Sequence, residues 1–116
     1  MRFVICRCNT MRIKPIKFMA STAATAPNGP GVYIIWSLTA IGRLKPIYVG
    51  MSKTSVRTRL AKHFSKSHNK GVDMYVRGSR HAMMVCWGTI PAERAKALET
   101  KLIRMLSPLE NIVENK

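Results

Sequence analysis

Apolar positions along the chain change period more than once, and each change marks an element. "GVYIIWS" at 31–37 and "PIYVG" at 46–50 are rich in β-branched and aromatic residues and read as strands. The "LTAIGRLK" segment between them carries Gly42, where a hairpin can turn. Side chains alternate across a strand, so Val32, Ile34 and Trp36 share one face and Tyr33, Ile35 and Ser37 the other. Ile47 and Val49 likewise oppose Tyr48 and Gly50. Pairing Tyr33 opposite Tyr48 centres the loop between Ala40 and Ile41 and puts both tyrosines on one face. The face with Val32, Ile34, Ile47 and Val49 is then the one that seats the sheet in the core.

Residues 52–71, "SKTSVRTRLAKHFSKSHNKG", change to a helical period. Thr54 or Ser55 can cap the start, Val56, Leu60 and Phe64 recur every fourth residue, and Gly71 lies beyond the end. Arg59 and His63 border that stripe, whereas His68 and His81 read as solvated positions. Residues 72–82 are ambiguous between loop and short helix. "MMVCWGTI" at 83–90 reads as a third, buried strand. Residues 91–106 read as a helix with Pro91 at its first turn, Glu93 near its positive end and Pro108 after it. Its stripe is Ala95, Leu98, Leu102, Met105 and Leu106. Upstream, residues 1–26 read as an extension ending in the turn-rich "STAATAPNGPG", with a short strand around "RIKPIKF" that Pro15 would confine to an edge. The expectation is an α+β domain over 27–112, a three-stranded antiparallel sheet flanked by helices, with a basic extension at 1–26 and a tail at 113–116.

Composition adds the partner. Of 116 residues, 20 are Lys or Arg and 5 are Asp or Glu, a net charge of +15, with no acid before Asp73. A field of that sign points to a polyanion, whose condensed counterions are released on binding. An anionic membrane is the weaker candidate, because the cations are dispersed instead of being segregated from an apolar helix face. The "FVIC" run at 3–6 is far shorter than the roughly 20 residues of a membrane span. Cys6, Cys8 and Cys86 are an odd number without metal-site spacing, which favours a reduced intracellular setting; the basic, acid-free N-terminus leaves organelle targeting open.

Glu99 is out of place in the last helix. It lies four residues after Ala95 and three before Leu102, along the apolar stripe, where an unpaired carboxylate is costly to bury. Either it pairs with a Lys or Arg at the stripe's edge, or it is a metal ligand or catalytic carboxylate held against the sheet.

The order of pieces is "GVY" at 31–33, "YVG" at 48–50, Arg and His four apart on a helix, a Glu inside a late helix and Asn111 twelve residues after it. This arrangement resembles the GIY-YIG nuclease domain over about residues 27–112. The resemblance implies a divalent-metal-dependent endonuclease acting on DNA, with Mg2+ or Mn2+ as cofactor; RNA is left open as a partner. In it Tyr33 corresponds to the tyrosine that orients or deprotonates the attacking water, and Tyr48 to the one that positions that water or the phosphate. Arg59 corresponds to the phosphate-binding arginine, and His63 to a position held by His or Tyr. Glu99 corresponds to the single metal-holding carboxylate, and Asn111 to an asparagine that braces the site or contacts phosphate. Gly50, Lys53, Arg57, Lys62 and Lys66 are expected to face nucleic acid.

Three features depart from the pattern. Fourteen residues separate the tripeptides, a few more than is usual, Met51 stands where the repair branch has a lysine, and the Gly50 to Arg59 interval is one residue longer than in the family pattern, so Arg57 competes for the arginine role. A single site per chain would nick one strand, and a homodimer is one route to double-strand breaks. The alternative is a basic nucleic-acid-binding module that keeps the fold without the activity.

Overall fold

The computed structural model describes residues 11–79 and 82–111. Arg2, Arg7, Cys6, Cys8, His81 and the tail therefore lie outside the described residues.

The elements run β1 (Met11–Lys17), α1 (Ala20–Ala23), β2 (Gly31–Leu38), β3 (Leu44–Ser52), α2 (Val56–Lys66), α3 (Lys70–Ser79), β4 (Met83–Thr89) and α4 (Ala92–Leu106). The α+β class is as expected, but the antiparallel sheet has four strands in the order β1-β4-β2-β3 instead of three. The additional strand is the "RIKPIK" segment. Pro15 cannot donate to a ladder, so the strand takes an edge position, and its register on β4 skips between Arg12 and Ile16 around that proline. Just after it, Phe18 is buried and sets its ring edge-on to Phe64 with centroids 5.5 Å apart. Ala23 and Ala26 join the same core.

The hairpin register differs from the expected one. Tyr33 stands opposite Gly50, and Tyr48 opposite Ile35, with an irregularity between Ile35 and Trp36. The pairing is displaced by two residues, and a displacement of two leaves every side chain on its own face. Tyr33 and Tyr48 thus do share a face.

Both faces are buried, Ile47 and Val49 on the face expected to seat the sheet as deeply as Tyr33 and Ile35 on the tyrosine face. Tyr33, Ile35, Tyr48, Val85 and Trp87 meet Val56 and Leu60 of α2 and Val72 and Val76 of α3 in one core. On the other side α4 packs against β3 and β2, and Val32, Ile34, Trp36 and Cys86 face Leu98, Leu102 and Leu106 across an apolar cavity of about 380 Å³. Cys86 is buried there and accepts the Trp36 indole N–H at 3.2 Å. No helix among the described residues is long and apolar enough to cross a membrane.

The helix expected to end before Gly71 already ends at Lys66, and residues 70–79 form a separate helix. The break has a polar cause, since Ser and Asn side chains offer backbone groups partners that compete with helical ones. Ser67 Oγ accepts the Asn69 N–H, Asn69 Oδ1 accepts the Val72 N–H, and Asp73 takes the Ser67 N–H on its carboxylate. Three consecutive residues, Ser67 to Asn69, thereby end one helix and start the next, leaving His68 between them.

Candidate active site

The turn from β3 into α2 is built from hydroxyls. Ser52 Oγ accepts the N–H groups of Thr54 at 3.1 Å and Ser55 at 2.8 Å, and Ser55 caps α2 by accepting the Thr58 N–H at 3.1 Å. This turn and the first two turns of α2 enclose a polar pocket of about 350 Å³ lined by Met51, Ser52, Lys53, Thr54, Ser55, Thr58, Arg59 and Lys62. Lys53, Arg59 and Lys62 bring cations to it, and no carboxylate is in the lining. The positive end of an 11-residue helix adds to their field. Such a pocket suits a phosphate.

The two competing arginines are placed differently. Arg57 turns its Nε to the Ala26 carbonyl at 2.9 Å and is half-buried, so it ties α2 to the segment before β2. Arg59 is exposed and lines the polar pocket. Lys66 is exposed at the far end of α2, away from that lining.

One helical turn after Arg59, His63 points the other way, into the tyrosine face. Its Nε2 lies 2.8 Å from the Tyr33 hydroxyl and its Nδ1 2.6 Å from Ser67 Oγ. Expected at the border of the stripe, His63 is instead part of the interior, 1% exposed. Burial, with the nearby charges of His68 and Arg59 adding to it, pushes its pKa from 6.5 down to about 3. Two hydroxyl partners satisfy the neutral ring in either tautomer.

A pH dependence follows from this. Below pH 6.5 the unfolded chain takes up a proton at His63 that the folded chain refuses until about pH 3. The stability owed to a neutral His63 is therefore complete above pH 6.5 and is lost as the pH falls through that window, at up to about 1.4 kcal/mol per pH unit. Denaturant midpoints between neutral and mildly acid pH should fall more steeply for wild type than for His63→Gln. Equal slopes would show that His63 is not the group responsible.

Tyr33 is fully buried and Tyr48 is 3% exposed, their ring centroids 6.3 Å apart. The Tyr48 ring also lies 5.1 Å from that of His63 and 6.3 Å from that of His68. Both motif glycines have a steric role beside them. A Cβ on Gly50 would lie 2.3 Å from the Tyr33 hydroxyl oxygen, and one on Gly31 would lie 2.4 Å from the Gly88 carbonyl oxygen. The close approach that Gly50 permits is thus that of the Tyr33 ring. Gly50 itself is buried.

Asn111 acts on the same strand from outside. β3 is the sheet edge, and buried Asn111 accepts the Val49 N–H on Oδ1 at 2.5 Å and donates Nδ2 to the Val49 carbonyl at 2.8 Å. The side chain satisfies both backbone groups of the residue between Tyr48 and Gly50. Of the two roles that the resemblance offers, bracing matches this geometry.

Glu99 lies on α4 with its side chain 12% exposed, and its Oε1 accepts from the Lys96 ammonium at 3.0 Å. Lys96 is 66% exposed, so the carboxylate is held mostly inside while its partner stands in solvent. The ion pair expected of a stripe-edge Glu is therefore present. It also marks where this carboxylate accepts a cation. Among the described residues no group of three or more His, Cys, Asp or Glu could hold a metal. A single hard oxygen ligand nonetheless suits Mg2+, which commonly keeps several waters and takes one or two protein carboxylates plus substrate phosphate.

Two participants in this arrangement, Ser67 and His68, were not singled out beforehand as site residues. The available signal was spacing, since Ser67 lies four residues after His63 and His68 directly follows it. No curated protein and no solved structure matches the chain. The family model of the GIY-YIG catalytic domain, in contrast, matches residues 29–112, which include both glycine-tyrosine motifs, Arg59, His63, Glu99 and Asn111, and the chain belongs to the GIY-YIG family.

Proposed function

We propose that the protein is a divalent-metal-dependent endonuclease that hydrolyses DNA phosphodiesters, one strand per encounter. The observation that carries this reading is the division of α2. Arg59 serves a cationic, acid-free pocket on one side, and His63, four residues on, is bonded to Tyr33 on the other.

In this reading Arg59, with Lys53 and Lys62, binds the scissile phosphate and offsets charge that grows on its oxygens in the transition state. Lys66 extends the basic track along the strand. The Tyr33–His63–Ser67 chain fixes the interior of the site and, through ring contact, the orientation of Tyr48 beside the water. Glu99 would hold Mg2+ or Mn2+, which when bound supplies Lewis-acid polarisation of a phosphoryl oxygen and a more acidic water. Asn111 keeps β3, and with it Tyr48, in register.

One observation favours the other reading, a binding module without activity: Tyr33 and Tyr48 are both almost wholly buried. A panel of linear, supercoiled, flapped, branched and single-stranded DNA decides between them. With Mg2+ or Mn2+ the protein is expected to cut at least one substrate to 3′-hydroxyl and 5′-phosphate ends, and EDTA should stop the cutting. Steeply salt-dependent binding with no cleavage under any metal would establish the module instead.

A further inference from the structure

Four rings form one cluster in which only one member meets solvent. Tyr33, His63 and Tyr48 are buried, whereas His68 is exposed. His68 lies with its ring centroid 5.2 Å from that of His63 and 6.3 Å, edge-on, from that of Tyr48. Its backbone is pinned on both sides. Ser67 is bonded to His63 and to Asp73, and Asn69 caps α3.

Hydrolysis requires a proton to leave. As the water oxygen bonds to phosphorus, the water gives up one proton, and the P–O3′ bond breaks with its electron pair going to O3′, which takes up a proton to become the hydroxyl. Buried Tyr33, His63 and Tyr48 can orient one another but cannot release a proton directly to bulk water. Imidazole is the side chain best suited to accepting a proton near neutral pH and returning it to solvent. We propose that His68 is a catalytic residue, the group at the mouth of the tyrosine cluster that accepts the proton of the attacking water and passes it to solvent. This rests on the nuclease reading above. Tyr48 from β3 and His63 from α2 set their rings against His68, Arg59 of α2 bears electrostatically on His63, and Asp73 from α3 is occupied by the Ser67 N–H and by Arg77 at 3.1 Å.

The test uses the full chain, Mg2+ and a DNA that wild type cleaves. His68→Ala should slow single-turnover cleavage by about 10² or more, the usual yield of a positioned acid or base, while DNA affinity and thermal melting stay at wild-type values. The acid limb of the wild-type pH–rate profile should be lost, and added imidazole should restore part of the rate in His68→Ala but not in Glu99→Gln. A merely structural His68 would give no imidazole rescue and would keep the acid limb. Either result overturns the proposal, as does cleavage by His68→Ala within about threefold of wild type, well below a general-base contribution. Wild type that cuts nothing overturns the nuclease reading and this inference together, whereas active wild type with an indifferent His68→Ala overturns the inference alone.

Discussion

Glu99→Gln is expected to lower Mg2+-dependent cleavage by about 10³ or more, since several kcal/mol of metal-derived charge stabilisation would go and each 1.36 kcal/mol is tenfold. The substitution keeps the size and hydrogen-bonding shape of the side chain and removes only its charge. Stability should change little, because the ion pair it breaks is made to a Lys96 that is 66% exposed, and pairs of that kind are worth about 0–1 kcal/mol. Lys96→Ala separates the two meanings of this pair. If the carboxylate exists to hold Lys96, removing either partner should have the same small effect. If it exists to hold a metal, Lys96→Ala should cut as wild type does, or at lower Mg2+, since the competing ammonium has gone. Matching losses in Glu99→Gln and Lys96→Ala would end the metal-ligand assignment. Isothermal titration with Mn2+ and DNA, wild type against Glu99→Gln, gives a second readout that does not depend on turnover.

What could be read in advance depended on whether local pattern or distant packing decides the matter. The shared face of Tyr33 and Tyr48 was legible because strand alternation has a period of two, and the two-residue displacement of the hairpin left it intact. The depth of that face was not legible. It is set by Val56, Leu60, Val72 and Val76 arriving from two helices, the second of which was ambiguous with Gly71 and Gly78 inside it. For the same reason His63 was placed at a rim. Helical spacing puts it beside the stripe, but the partners that draw it inward, Tyr33 and Ser67, lie on β2 and beyond the end of α2. The fourth strand was legible as a short edge strand around Pro15, whose missing N–H is costly in a central strand and harmless at the edge that β1 occupies; what local pattern did not give was its pairing with the distant β4. Glu99 was conspicuous at once, because a carboxylate on an apolar stripe violates a local rule, and such violations concentrate at functional positions.

The spacing between Gly50 and the helix left Arg57 and Arg59 as rivals, and their surroundings now predict opposite phenotypes. Arg59→Ala should reduce cleavage by about 10² to 10³, the cost of removing one preorganised donor from a developing oxyanion, with stability within about 0.5 kcal/mol of wild type because the side chain is exposed. Arg59→Lys should recover only part of the rate, since a point charge replaces a planar fork. The salt dependence of DNA binding should become shallower by about one phosphate contact in Arg59→Ala. Arg57→Ala should do the reverse. It loses the bond from Nε to the Ala26 carbonyl at 2.9 Å, a half-buried contact worth about 0.5–1.5 kcal/mol, and so should melt several degrees lower while cleaving near the wild-type rate below its melting range. Paired melting curves and single-turnover rates for the two variants measure both axes at once. A stable, inactive Arg57→Ala beside an active Arg59→Ala would transfer the phosphate to Arg57. It would also mean that the tie to Ala26 opens when DNA binds.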